Sequence, residues 1–472
     1  MIKNIIAKIS DFFDTSFFSI ALVVIELCCY FLSLDLAIII ILSLCISFAF
    51  LFKHNLNCTL VLFLFLSSMI SLKNSPSGDS NGVQSLYYFQ PQIYITCIVF
   101  ASIPVLIIII KAVENLITKK VPFSPFIISA LTFGLVVLLN GCFRNEYNPL
   151  DLMFGLFMFF FFVVLLIAIV PYVFIDKDSL LTISRQVSIY LLVPIVEIFV
   201  YYLGFIINGN SITTRLDVFV GWGNRNTLGM LFTVMLPFIF YLIKKEESKI
   251  FKSLAISLLV IVLSCIALCF SIQAYIFVFF LLVIYLFFLF KTSENKNKKN
   301  FGIASGLLLF VGFSLFFAGY LTGKIDVFGF GSTKSRFDLW TDALDSFTNF
   351  PMFGGGFFFL GGDPEIELYS IMPYCCHNTF FELLGACGLF GLIAYVFYRF
   401  TSFKRIFSDL TIEKFYPFLA LCLIILMSLF DIHLFDFFGS ALYTVLLCLS
   451  MAKTSKYKEE TNCNLQLEEN SQ

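Results

Sequence analysis

Apolar runs dominate the chain, and short polar stretches interrupt them at a spacing that predicts membrane-crossing helices. A helix needs about 20 apolar residues to cross a bilayer. Runs of that kind predict spans at 17–34, 36–52, 56–72, 92–110, 123–143, 151–175, 188–207, 226–243, 251–270, 272–290, 301–321, 377–398, 415–431 and 433–451. That is fourteen, or twelve if the first two, and the ninth and tenth, which very short turns join, each count as one. The expected fold is all-α, a polytopic transmembrane bundle forming one domain over 1–451. A polar tail, 452–472, is expected to be disordered. Residues 1–14 read as a short, mildly basic amphipathic start. The first apolar run lacks a small-residue cleavage site, so it reads as a retained anchor.

Composition strengthens this picture. The sequence is 60% hydrophobic and 13% charged, against roughly 25% charge in soluble domains. A net charge of −1 gives no global field to draw nucleic acid or an acidic partner. Most of the 14 cysteines sit inside apolar runs, where Cys acts as a small hydrophobe, and no CxxC zinc spacing occurs.

Charge then orients the bundle. With the N-terminus inside, 23 of the 30 Lys and Arg fall in cytoplasmic segments, as the positive-inside rule asks. Both termini are therefore expected in the cytoplasm. Arg supplies 3 of the 23 inside basic residues but 4 of the 7 outside. Topology needs only positive charge, so outside Arg calls for another reason, and its planar fork suits phosphate or carboxylate.

Two outer segments do more than connect. One, 208–226, holds Arg215 and ends in Gly223-Asn224-Arg225-Asn226, a turn-forming series. The other, 322–376, is far longer than an ordinary loop. Within it, Phe337, Leu339, Trp340, Leu344 and Phe347 recur near helical spacing, predicting a short amphipathic helix over 333–347 on the membrane surface. Pro351 and Gly354-Gly355-Gly356 end it. Both Trp residues, Trp222 and Trp340, lie in these segments, and interface anchoring accounts for them equally well.

These residues resemble the O-antigen ligase and polymerase family of bacterial membrane glycosyltransferases. The resemblance rests on Arg336-Phe-Asp-Leu-Trp340, Asn349-Phe-Pro351-Met-Phe-Gly354-Gly-Gly356, His377-Asn378-Thr-Phe-Phe and Gly388-Leu-Phe-Gly391, in that order. Gly223-Asn224-Arg225-Asn226-Thr-Leu-Gly229 adds a second match. It covers about 215–400 in detail. Two departures stand out: Gln273 lies where the family often has Arg, and Ala386 where it often has Glu.

The resemblance implies transfer of glycan from an undecaprenyl-diphosphate carrier to an acceptor hydroxyl, at the outer face of the cytoplasmic membrane. The implied partners are an undecaprenyl-diphosphate-linked oligosaccharide, an acceptor glycan or lipid, membrane lipids and other polysaccharide-assembly proteins. No cofactor or metal is expected. A lipid diphosphate needs cationic clamps, for which Arg215, Arg336 and Arg225 are the candidates. An acceptor hydroxyl needs a base titrating near neutrality. Of three histidines, His54, His377 and His433, His377 lies in the matching motif. Asn224, Asn226 and Asn378 are candidates for orienting the substrate.

Plainer readings stand beside these. Arg336 has Asp338 and Asp342 for ion partners, Arg215 has Asp217 and Arg144 has Glu146. Arg225 would also suit lipid headgroups, His377 a local hydrogen bond at a helix start, and the asparagines ordinary turns. Cys375-Cys376-His377 lacks a second ligand pair for zinc. Asp431, His433 and Asp436 read as a solvated outer hairpin, and Glu197 as an interhelical hydrogen bond within its span. A lipid-linked oligosaccharide flippase is the competing class, but it would place its ionisable residues inside the spans.

Overall fold

The computed structural model describes residues 2–32, 35–70, 91–144, 147–209, 224–291, 331–361 and 373–453. Its regular elements are helices, and thirteen of the fourteen predicted spans coincide with one. The other, 301–321, lies outside the described residues, as do Arg215, Trp222 and most of the 452–472 tail.

Length separates these helices. Six of them are long and apolar enough to cross a bilayer unaided: Val99–Ile117, Pro149–Tyr172, Lys177–Ile207, Arg225–Lys245, Lys249–Leu268 and Thr379–Phe407. A bent pair, Lys3–Phe13 with Ser16–Leu32, meets at 75° and adds a seventh. Five more predicted spans are shorter apolar helices. The hydropathy count of fourteen thus includes segments whose described helices are shorter than a full crossing.

Burial identifies the centre of the bundle. Arg225–Lys245 is 83% buried over its apolar window. It packs against Lys177–Tyr190, Lys249–Leu268, Ile272–Lys291 and Ile412–Met427. Aromatic rings fill a second contact region, where Pro125–Leu138, Phe160–Leu165, Thr379–Phe407 and Phe437–Ser450 meet. Phe133 stacks on Tyr398 at 5.6 Å, and Phe162 meets both Phe133 and Tyr443 edge-on. The buried guanidinium of Arg399 lies 4.1 Å from the Tyr443 ring centroid and 4.5 Å from that of Tyr395, a cation–π setting that offsets its removal from water.

Polar contacts sort the segments between helices into two ends. At one end Asp14 pairs with Lys53, Glu246 with Arg185, and the Lys453 carbonyl accepts from the Ile175 N–H. At the other, residues 141–151 bond to 353–358, and 226 is bonded to 273, 273 to 433, and 377 to 431. This partition coincides with the inside and outside sets expected from the positive charges.

Candidate active site

The expected outer helix exists as Gly331–Asn349, but it docks against Thr379–Phe407 rather than standing alone on a membrane surface. Leu339 and Ala343 are buried in that contact, while Phe337 and Leu344 are exposed. Trp340 explains the register. Its ring stacks on Phe381 at 4.9 Å, and its indole N–H donates to the Cys376 carbonyl at 2.9 Å. Docking, not only interface anchoring, employs this tryptophan.

The glycine motifs form a seam. Gly355 and Gly356 N–H groups donate to the carbonyls of Gly385 and Ala386 at 2.8 and 3.1 Å. In return, Leu389 and Phe390 donate to Pro351 and Met352 at 2.9 and 3.2 Å. Gly388 (φ 64°, ψ −159°) interrupts the Thr379–Phe407 helix so that its backbone can make these bonds. A Cβ at Gly388 would fall 2.6 Å from the Met352 carbonyl carbon, and one at Gly354 2.3 Å from that of Ala386. Backbone therefore lies directly on backbone, and Ala386 is fully buried there. That leaves no room for the carboxylate the family resemblance leads one to expect at this position. Asp151 and Asn140 brace the far side, accepting from the N–H groups of Phe358 (2.8 Å) and Phe357 (3.2 Å).

His377 is held at the mouth of this assembly. Its φ of 51° is unusual for a residue with a side chain and is kept only where surroundings enforce it. They do so on both sides. Before it, the Cys376 N–H donates to the buried Glu382 carboxylate at 2.8 Å, and the Cys376 carbonyl is tied to Trp340. After it, Asn378 caps the helix, accepting from Phe380 and Phe381 and donating to the Leu429 carbonyl at 2.8 Å. Thr379 is bonded to Ser428.

The imidazole Nδ1 of His377 lies 2.8 Å from Asp431 Oδ1. With the carboxylate accepting, Nδ1 carries the proton and Nε2 is free to receive another. This corrects the reading of Asp431 and His433 as a solvated hairpin: they are 6% and 2% exposed. Burial would lower the His377 pKa, but the Asp431 charge and hydrogen bond outweigh it, and the result lies above the ordinary value. Burial would raise the Asp431 carboxyl, yet His377, His433 and Arg336 hold it well below the usual carboxylate range. Arg336 thus stands close enough for its charge to act on His377, Asp431 and His433 together.

A second layer supports Asp431. Gln273 Nε2 lies 3.0 Å from His433 Nε2 and 3.5 Å from the Asn226 carbonyl. An amide donating to Nε2 requires neutral His433. Burial, partly opposed by Asp431, lowers the His433 pKa in agreement. The departure at Gln273 therefore places a neutral donor beside a neutral imidazole. Asn226 Oδ1 accepts from Ser271 at 3.1 Å, and Asn224 caps Arg225–Lys245 through the N–H groups of Asn226 and Thr227. The structure therefore unites His377, Arg336 and Asn378 with Asp431 and, through His433 and Gln273, with Asn226. Arg225 sits in the first turn beside Asn224. The missed signal was Asp431-Ile-His433, two ionisable groups in an otherwise nearly uncharged 415–451 stretch.

Fold and site define a multi-pass, all-helical membrane protein with a histidine–carboxylate pair and an arginine gathered at one end of its spans. Residues 257–396 match the family described as O-antigen ligase. This stretch spans the outer helix, the glycine seam and His377. No curated protein matches the chain closely enough to add to this. The family supports a polysaccharide ligase or polymerase role, that of a glycosyltransferase-like enzyme acting on lipid-linked oligosaccharide and acceptor glycan.

Proposed function

We propose that this protein transfers glycan from an undecaprenyl-diphosphate carrier to an acceptor hydroxyl at the outer face of the bacterial cytoplasmic membrane, with His377 as general base. The observation that carries the reading is the 2.8 Å His377–Asp431 pair with Arg336 beside it. His377 Nε2 takes the acceptor proton as the hydroxyl oxygen attacks the anomeric carbon. The bond from that carbon to the diphosphate oxygen breaks, and the diphosphate departs with the electron pair. Asp431 orients the ring and stabilises the imidazolium that forms, as carboxylates do beside catalytic histidines. Arg336, Arg215 and Arg225 meet the charge growing on the diphosphate, so the reading calls on no metal or other cofactor. Asn226 and Asn378 position the acceptor side through the segments they cap or bridge, and Asn224 fixes the start of the central helix.

The test is His377→Ala expressed at normal level in a deletion strain, with lipid-linked and surface glycan analysed together. The expected result is loss of polymer or of transferred chains by about two orders of magnitude or more. Accumulated single repeat units would mark a polymerase, and accumulated long carrier-bound chains a ligase. Full polymer formation by His377→Ala would refute the assignment.

A further inference from the structure

The Gly331–Asn349 helix has two working faces. Trp340 turns toward Cys376 and His377. Asp342, Asp345 and Asn349 lie on another face, at intervals of three and four residues, and open into a cavity of about 290 Å³. Arg144 enters from the start of another outer segment, and Phe350 and Phe359 supply apolar wall. Among the described residues, no hydrogen bond or ion pair engages the carboxylates of Asp342 and Asp345 or the amide of Asn349. Arg144 makes one long bond, 3.4 Å, to the Gly355 carbonyl. Acceptors, donors and aromatic rings thus converge on a space whose floor is the glycine seam.

We propose that this cavity is a monosaccharide subsite that holds one pyranose ring of the substrate glycan. A pyranose presents vicinal hydroxyls at its rim and C–H groups on its faces. Ionised carboxylates accept two hydroxyl protons with charge-assisted strength, the amide and guanidinium bond to ring or hydroxyl oxygens, and the phenylalanines cover the C–H face. The size falls at the small end of ligand pockets. Charge excludes the other part of the substrate: two carboxylates repel a diphosphate, which is drawn instead toward Arg336. Position fits as well. Asp342 stands two residues beyond Trp340 and near enough for its charge to act on Cys376, the neighbour of His377. The helix therefore separates anion from sugar along its length. Only the identity of the ligand as substrate rests on the transfer reading above.

The test uses the full-length protein in lipid nanodiscs with free glucose, galactose, glucosamine and N-acetylglucosamine, observed by saturation-transfer NMR. At least one sugar is expected to receive saturation. The double variant Asp342→Asn/Asp345→Asn, at exposed positions that tolerate an isosteric change, is expected to weaken that binding about tenfold, and His377→Ala to leave it unchanged. No transfer to any of the four sugars, or transfer that survives the double variant, overturns the subsite. If the double variant loses sugar while His377→Ala still makes polymer, the subsite stands and the transfer reading falls. Displacement of the free sugar by undecaprenyl-diphosphate-linked N-acetylglucosamine, but not by sugar-free undecaprenyl diphosphate, assigns the site to the donor sugar. Retention against both assigns it to the acceptor.

Discussion

The two ends of the bundle handle charge in opposite ways. At the end with most of the lysines, cations are cancelled nearby: Lys53 by Asp14 at 2.8 Å, Arg185 by Glu246 at 2.6 Å and Lys414 by Asp409 at 2.5 Å. At the other end, the pair among the described residues is His377–Asp431, and Arg336 adds its field to that pair rather than closing a separate bridge. The positive-inside rule accounts for the first end, since neutralised lysines still bias which side of a membrane a segment takes. Among the described residues, the second end also leaves the carboxylates of Asp342 and Asp345 and the amide of Asn349 without a partner in the protein, groups that can bond to a ligand instead.

The sharpest way to break this contrast is to remove the arginine. Arg336→Ala is expected to lower kcat/KM for transfer by about two to three orders of magnitude. Arg336→Lys should recover only part of it, because a point charge lacks the planar fork. Asp431→Asn comes next, with a loss of about a hundredfold and a shift in pH dependence. A base must be unprotonated, so activity falls as pH drops through the raised His377 pKa. Without the carboxylate that pKa falls, and the acidic limb of the pH–rate profile should move to lower pH while the maximum rate declines. An unmoved limb would show that Asp431 does not set the titration of His377.

Smaller effects sharpen the contrast. Gly388→Ala places a Cβ against Met352 at a φ and ψ that only glycine takes readily. It is expected to cost about 2 kcal/mol or more, read as a lower unfolding temperature in detergent. Lys177→Gln, at the lysine-rich end, breaks an ion pair with Glu247 that is exposed on both sides; it should cost about 1 kcal/mol or less and leave transfer at its normal rate. A transfer defect in that variant would erase the distinction between the ends.

Much of the architecture was legible because a bilayer imposes one rule. Every spanning backbone must satisfy its own hydrogen bonds, so an apolar run of sufficient length reads directly as helix. His377 and Arg336 were legible through ordered local motifs. Asp431 was not: it lies 54 residues from His377 in sequence, and alone it looks like any acid at a turn. Trp340 reads equally well as a motif residue and as a surface anchor, because amphipathic spacing does not reveal which partner covers the apolar side. The glycine motifs were visible while their cause was hidden, since nothing local shows that Gly354 and Gly388 face each other.

The interruption at Gly388 also has a mechanical meaning. Residues 389–407 extend about 28 Å as a helix, close to the thickness of a bilayer core. Such a segment answers a thicker or thinner membrane by tilting. His377 does not sit on that segment. It heads the short stretch 379–387, which is pinned to Ser428, Leu429, Cys376 and the outer loop. Gly388 marks the break between the part that crosses the apolar layer and the part that holds the base, and the outer loop is bonded to both sides of it, to Gly385 and Ala386 before and to Leu389 and Phe390 after. A lean of the span would load the bonds to Pro351 and Met352 first, so a change in lipid thickness should reach the outer loop before it reaches the histidine.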